Sequence, residues 1–343
     1  RTPADPRSTP MRAVRARCRA RPQELPAPAL VPAAAAAIAG GAGRPDKMDA
    51  WGGVFKLTKG LINKFGPERV RDTPISEAGF IGAGVGAAAA GMRPVVDLMF
   101  VGFLGVCGDQ IFNNAAKMHY MFGGKVTIPL TIMTSIGAGV GSAAQHSETL
   151  YSLFTHFPGL KCVCPSNPYN AKGLFAAAIR DNDPVIIFNH KLLMGMRADQ
   201  EVPEEPYTIP IGKANVAREG SDVTIVGIGY TTHIALQAAV ELEKDGYSAE
   251  VIDLLSLSPM DDKAILASVK KTRKIVIVDE DYPRCSIASD LSALAAEEAF
   301  DHLDAPPIRV TAPHTSVPYS RSLEPLFLPT KEKIVNATLA VLG

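Results

Sequence analysis

The stretch that most constrains this chain is residues 71–91, RDTPISEAGFIGAGVGAAAAG, where Glu77 closes a short polar turn and an uncharged run of Gly and Ala follows. Pro74 fixes its own φ and pushes Thr73 out of helical space, so residues 72–74 form a turn. Ser76 then stands as a helix N-cap, with Glu77 in the first turn, where the macrodipole favours an anion. The small residues behind it let this helix pack closely against another backbone. Glu77 has two readings. A carboxylate in a dry, Gly/Ala-walled place is where a tuned acid or base sits; a carboxylate in a first turn is also a plain helix cap.

At 343 residues the chain is long enough for two domains with real cores. Its 35 basic and 35 acidic residues balance, which argues against a nucleic-acid surface. A hydrophobic content of 47% with frequent Gly and Ala suits an α/β protein with tight helix–sheet contacts. Five cysteines (Cys18, Cys107, Cys162, Cys164 and Cys285), odd in number and mostly in apolar runs, read as reduced intracellular thiols. Cys162 and Cys164 lack the spacing of a zinc knuckle. No apolar run reaches the roughly 18 residues that span a bilayer, so a soluble, cytoplasmic protein is expected.

Residues 1–39 differ from the rest: rich in Pro, Ala and Arg and without periodicity, they cannot bury a core and are expected to be disordered or aberrant. An Arg-rich, acid-poor organellar transit segment is one reading, which would place the protein in an organellar matrix; a fragment or misread start is the other. Order is expected from residue 40. A loop leads to a helix over residues 54–65, a strand over 95–100, a helix over 102–120 and a strand over 126–133. A glycine-rich loop then ends at His146, and a further strand–helix–strand series runs to His190. Residues 197–210, with three prolines and four acids, form a linker. The alternation resumes over 211–343, including one strand over 249–257 and a closing helix over 331–342. Strand–helix alternation of this kind predicts mainly parallel sheets covered on both faces, in two α/β domains, 40–196 and 211–343.

Three glycine clusters, at 82–86, 137–141 and 227–229, invite a nucleotide reading. None completes the six-residue dinucleotide fingerprint after a strand with an acid on the next strand, and P-loop, GxSxG and HExxH patterns are lacking. His146 stands out because it follows a flexible loop and is flanked by Gln145, Ser147 and Glu148. A histidine there serves as acid, base or oxyanion donor, or is a loop residue satisfied by its neighbours. His119, His156, His190 and His233 lie on or beside apolar faces and read as structural.

The segments DTPISEAGFIGAGVGAAAAGMRPVVD, DQIFNNAAKMHYMFGG, AAQHSETLYSLFTHFPGLKCVCPS, AKGLFAAAIRDNDPVIIF and LDAPPIRVTAPHTSVPYS closely resemble the beta subunits of thiamine-diphosphate-dependent 2-oxo acid dehydrogenases. These are the decarboxylating first components of the pyruvate, branched-chain and acetoin complexes, with a transketolase-like fold. The resemblance runs from about residue 40 to the C-terminus. DAWGGVF, GVCGDQI and EVPEEPYTIPIGKA look most like the acetoin members.

The resemblance implies a cofactor shared with a separate alpha subunit, which holds magnesium and the diphosphate. A second beta subunit and a lipoyl-bearing acyltransferase second component are the other implied partners. Glu77 matches the glutamate that hydrogen-bonds a ring nitrogen of the aminopyrimidine and so controls its tautomer. Phe103 matches the aromatic that packs on that ring, although a core aromatic on a helix face would look the same. His146 matches the histidine that assists acyl transfer to the lipoyl arm. Leu130, Ala178, Ile179, Asp181 and Asp183 fall where relatives hold a structural potassium ion, largely by backbone carbonyls.

One departure stands out: Ala35-Ala36-Ala37 replace the family's Gly-Glu-Asp, whose glutamate lies close to the cofactor, and the first helix is missing. Weakened cofactor activation or partner docking is the expectation. Three readings follow: an active acetoin-type subunit, the same scaffold with pyruvate or branched-chain specificity, and a non-catalytic structural subunit.

Overall fold

Two sheets organise the chain, and the computed structural model describes residues 37–40, 55–197 and 201–343 of it. The expectations for residues 1–36, the loop over 41–54 and linker residues 198–200 lie outside the described residues. The first sheet takes β1 (Ala37–Gly40), β2 (Val70–Thr73), β3 (Val95–Phe100), β4 (Thr131–Ile136), β5 (Lys161–Val163) and β6 (Val185–His190). The second takes β7 (Asn215–Arg218), β8 (Val223–Gly227), β9 (Ala249–Asp253), β11 (Ile275–Val278) and β12 (Ile308–Val310), in the order β12-β11-β8-β9-β7 with only β7 antiparallel. One strand from the C-terminal half, β10 (Ser256–Ser258), leaves its own sheet and pairs antiparallel with β5, giving a first sheet ordered β10-β5-β6-β4-β3-β1-β2.

Helices cover the first sheet as α1 (Leu61–Phe65), α2 (Glu77–Ala89), α3 (Leu104–Asp109), α4 (Met118–Met121), α5 (Tyr151–Thr155) and α6 (Pro168–Arg180). The second carries α7 (Tyr230–Lys244), α8 (Asp262–Thr272), α9 (Ile287–Glu298), α10 (Glu324–Phe327) and α11 (Lys331–Leu342). Burial explains the strand sequences: all six residues of β4, TIMTSI, are buried, as a central parallel strand covered on both faces requires. No described helix is long and apolar enough to cross a membrane.

Several boundaries differ from the sequence reading, each for a local reason. Residues 37–39, expected to lie outside the fold, belong to β1, which pairs in parallel with both β2 and β3. The strand expected over 126–133 begins at Thr131, because Pro129 has no N–H to give a ladder. The helix expected over 54–65 is, among the described residues, only α1, behind Gly60 at φ 83°. The helix expected over 102–120 is broken: a 3-10 turn at Val101–Phe103, α3, a π-turn at Gln110–Ala115, then α4. At the π-turn the Asp109 carboxylate accepts from Asn113 at 2.8 Å and Asn114 at 3.3 Å, four and five residues on, which widens the helix. The single strand expected over 249–257 divides at Leu255, whose φ of 46° turns the chain from one sheet to the other.

The two sheets share buried contacts. One buried apolar cluster runs from Ile81 on α2 through Ile132 and Phe188 to Val226, Ile265 and Leu291 in the C-terminal half. Buried polar contacts cross the same boundary: Asp253, 2% exposed, accepts from Ser166 and from Asn170 at 3.3 Å. All described residues fall in one compact unit.

Candidate functional site

Glu77 opens α2 and is 7% exposed. Ser76 occupies the N-cap position but does not cap: its Oγ donates to the Pro74 carbonyl at 3.2 Å. The Glu77 carboxylate has no hydrogen-bond partner among the described residues. The small residues of α2 bring it hard onto β3, since a Cβ at Gly84 would lie 2.7 Å from Val96 Cγ2 and 3.3 Å from Leu130 Cδ1. The close approach is thus to strand side chains. Residues 82–86 are helix interior, which removes that glycine cluster from any phosphate role.

The strand beside α2 delivers the aromatic partners. β3 slips register between Asp97 and Phe100, and Met99 takes a φ of 64° with its N–H donating to Asp97 Oδ1 at 2.8 Å. The kink turns Phe100 and Phe103 toward each other, ring centroids 5.7 Å apart and nearly perpendicular. His146, on a 3-10 turn at Ala144–His146, packs edge-on against both, at 4.5 Å from Phe100 and 5.6 Å from Phe103. Neither imidazole nitrogen has a hydrogen-bond partner among the described residues. Cys107 links this group to Glu77: its Sγ donates to the Phe103 carbonyl at 3.6 Å. Burial, and then the nearby Glu77 charge, push its thiol up to about 12. Phe103 and His146 thus pack together around Phe100, and Cys107, one turn beyond Phe103, lies within reach of the Glu77 charge. A buried carboxylate with no hydrogen-bond partner among the described residues and an aromatic face are the chemistry that a flat aminopyrimidine ring requires.

Sequence reasoning missed what holds His146 in place. The glycine-rich loop before it donates its amides to carboxylates from the C-terminal half. Ala138 N donates to Glu280 Oε1 at 2.6 Å, Gly139 N to Glu324 Oε1 at 2.7 Å, and Gly141 N to Glu324 Oε2 at 2.9 Å. These amides are engaged by the protein's own acids, so the loop is no phosphate cradle. Residues just after His146 are held likewise: Tyr151 donates to Asp279, and Ser152 Oγ to Asp281 Oδ2 at 2.5 Å. Asp279, Glu280 and Asp281 are 0%, 4% and 3% exposed, and burial first, then the Asp279 charge, raise Asp281 to about 8. His190, read as structural, bonds Glu280 Oε2 at 2.7 Å and stacks on Tyr230. The third glycine cluster ends β8 and starts α7; a Cβ at Gly229 would lie 2.7 Å from Cys164 Sγ, so this turn serves packing. The one available signal was an apolar strand, IVIV, running straight into three acids.

The residues proposed for potassium lie together at one end of the sheet. The Leu130 carbonyl accepts from Val185 N at 2.9 Å and that of Ala178 from Asp181 N at 3.2 Å. The Arg93 guanidinium donates to the Ile179 carbonyl at 3.1 Å and the Asp181 carbonyl at 2.7 Å. Lys161 pairs with the Asp181 carboxylate at 2.7 Å and that of Asp183 at 2.9 Å. A carbonyl oxygen has two lone pairs, so a potassium ion would share Ile179 and Asp181 with Arg93. Elsewhere, a cavity of about 650 Å³ lies between α1, α6 and the sheet, lined by Leu61, Phe65, Met133, Phe175 and Asn189; Glu77, Phe103 and His146 are not among its walls.

Comparison with known proteins identifies the family. Residues 34–196 match the transketolase pyrimidine-binding domain and residues 212–334 the transketolase C-terminal domain. The chain is 55% identical to the beta subunit of acetoin:2,6-dichlorophenolindophenol oxidoreductase of Bacillus subtilis over 89% of its own length and 90% of the relative's. The corresponding Cupriavidus necator subunit is 54% identical, with 88% of each chain covered. The pyruvate dehydrogenase E1 beta subunit of B. subtilis is 44% identical, over 85% of this chain and 89% of the relative. Among solved structures, a split-gene transketolase in an inactive beta4 tetramer superposes with a TM-score of 0.69 at 22% identity, covering 89% of this chain and 91% of that one, a likeness of fold. With more than half its residues shared across nearly the whole length, the chain belongs to the transketolase-like beta subunits of the thiamine-diphosphate-dependent dehydrogenases that act on acetoin and 2-oxo acids.

Proposed function

We propose that this chain is the beta subunit of an acetoin-cleaving, thiamine-diphosphate-dependent first component, active only with an alpha subunit. The observation that carries the reading is the Glu77 carboxylate, buried, at a helix N-terminus, and without a partner among the described residues. A buried charge without a partner is unfavourable, so such a site is preserved where a ligand completes it. When bound, the cofactor supplies a nucleophilic carbon that adds to the substrate carbonyl. Glu77 holds a proton at the ring nitrogen of the pyrimidine, and Phe103 packs on the ring. His146 stands at the side where the acyl group passes to the lipoyl arm of a second component. Magnesium and the diphosphate belong to the alpha subunit in this reading, and a potassium ion to Leu130, Ala178, Ile179, Asp181 and Asp183. The gap between 55% and 54% identity to two acetoin enzymes and 44% to a pyruvate enzyme supports acetoin as substrate.

Co-expression with an alpha subunit, followed by thiamine-diphosphate-dependent reduction of an artificial acceptor, tests the proposal. Acetoin should give the highest kcat/KM among acetoin, pyruvate and a branched-chain 2-oxo acid. Preference for either acid would overturn the substrate assignment. A stable complex silent on all three would make the chain a structural subunit.

A further inference from the structure

One side chain beside His146 has no role in the activity proposed above. Lys191 follows β6 directly and is 6% exposed. Its Nζ donates to the His146 carbonyl and, at 3.4 Å, to Ser147 Oγ. The same Nζ lies 5.7 Å from the centroid of Phe100, the ring against which the His146 imidazole packs edge-on at 4.5 Å. One ammonium thus contacts the backbone that carries the imidazole and the ring that orients it.

A lysine with no task at this depth gains by extending its flexible stem to water. Lys191 instead stays buried, and the compensation comes from the other half of the chain. Glu280 and Glu324 act on its charge, and both carboxylates end on the glycine-rich loop that leads into His146. Burial outweighs their field and draws the ammonium down to about 8. At pH 7 the charge is therefore present, held from one side by acids and directed on the other at the His146 carbonyl.

We propose that Lys191 is a positioning residue for His146, setting the imidazole over Phe100 and Phe103 where the lipoyl arm arrives for acyl transfer. The inference rests on the reading of His146 given above. Lys191→Met removes the charge and keeps the stem; Lys191→Arg keeps the charge. Each is assembled with an alpha subunit and read in two ways at pH 7. The first is the rate at which diethyl pyrocarbonate modifies His146, followed by mass spectrometry of its peptide. The second is the partition between artificial-acceptor reduction and acyl transfer to a lipoyl domain.

In Lys191→Met the modification rate should change at least about threefold, and acyl transfer should fall about ten- to hundredfold, the range that an imidazole displaced by about 1 Å produces. Acceptor reduction should stay within about threefold, and Lys191→Arg should recover most of the loss. Unchanged His146 reactivity with unchanged partition overturns the proposal, and so does an equal loss in both activities. If His146→Ala spares acyl transfer while Lys191→Met still alters His146 reactivity, positioning stands and the role given to His146 falls. Should Lys191→Met fail to assemble, Ser147→Ala removes one of the two bonds and should move both readouts in the same direction by less; no movement in either is then the refuting result.

Discussion

Replacing Glu77 with Gln separates the two readings of that residue, because they predict opposite outcomes. The amide keeps the shape of the carboxylate and its place at the start of α2, with 7% exposure and no partner to lose among the described residues. What is lost for stability is the attraction of an anion to the helix N-terminus, roughly 0.3–1 kcal/mol. For a domain of this size that lowers Tm by roughly 1–4 °C. Removing the charge from a poorly solvated place offsets part of even this loss. For catalysis, the amide cannot hold and return a proton at a ring nitrogen, a function worth on the order of 10²–10⁴ in rate. That range corresponds to roughly 3–5.5 kcal/mol of barrier. The assay is acceptor reduction with the alpha subunit at saturating thiamine diphosphate, with a thermal melt of the same preparation. Turnover within about threefold of the parent, together with a Tm drop of several degrees, would refute the catalytic reading and leave Glu77 a helix cap.

Other consequences can be measured directly. Gly137→Ala should lower Tm by roughly 10 °C: a side chain at its φ of 94° is strained by about 1–2 kcal/mol and meets the buried His190 ring, whose bond to Glu280 is worth about 1.5–3 kcal/mol. An unchanged melt would contradict the described loop. Asp253 is raised from 3.8 to about 7, chiefly by burial, so between those values the folded state keeps a proton that the unfolded state has released. Stability should therefore fall as pH rises from 3.8 to about 7 and level off above, by on the order of 4 kcal/mol in total for this group. Urea melts across this range should show a flatter profile for Asp253→Asn, and an unaltered slope would argue against the assignment. Replacing lithium by potassium should raise Tm, by an amount equivalent to about 2.7 kcal/mol at a concentration one hundred times Kd; equal melts in the two salts would remove the potassium site. Restoring Gly-Glu-Asp at residues 35–37 should raise turnover in the assembled complex, and no rise would show that those positions do not limit it.

The strands and the Glu77 helix were legible because their periodicity is local. β3 falls on residues 95–100 and α11 on 331–342, as read from apolar spacing and flanking breakers. Glu77 was legible as an acid before a charge-free run, while the role proposed for it came only with the resemblance to a family. Phe103 became a candidate through the same resemblance, and the register slip at Met99 that precedes it has no sequence signature. Lys191, Glu280 and Glu324 were missed because their partners lie 45, 142 and 185 residues away. Contacts at such separations leave no periodic trace, and nothing in NHKLL or LEPLF marks a buried charge. The turn at Leu255 was hidden for a related reason. A continuous apolar run looks the same whether one sheet or two receive it.

That turn makes the two halves unfit to be exchanged as modules. β10 supplies the outer edge of the first sheet, so a chain divided in the proline-rich segment would bare the β5 ladder, an open edge that invites pairing between molecules. A chimaera that takes its C-terminal half from a relative with another substrate imports an edge strand for a foreign sheet and the acids that seat a foreign loop. Substrate preference and solubility would then change together in such hybrids. In this architecture, new specificity is reached more readily by substitutions within an intact chain than by recombination between two.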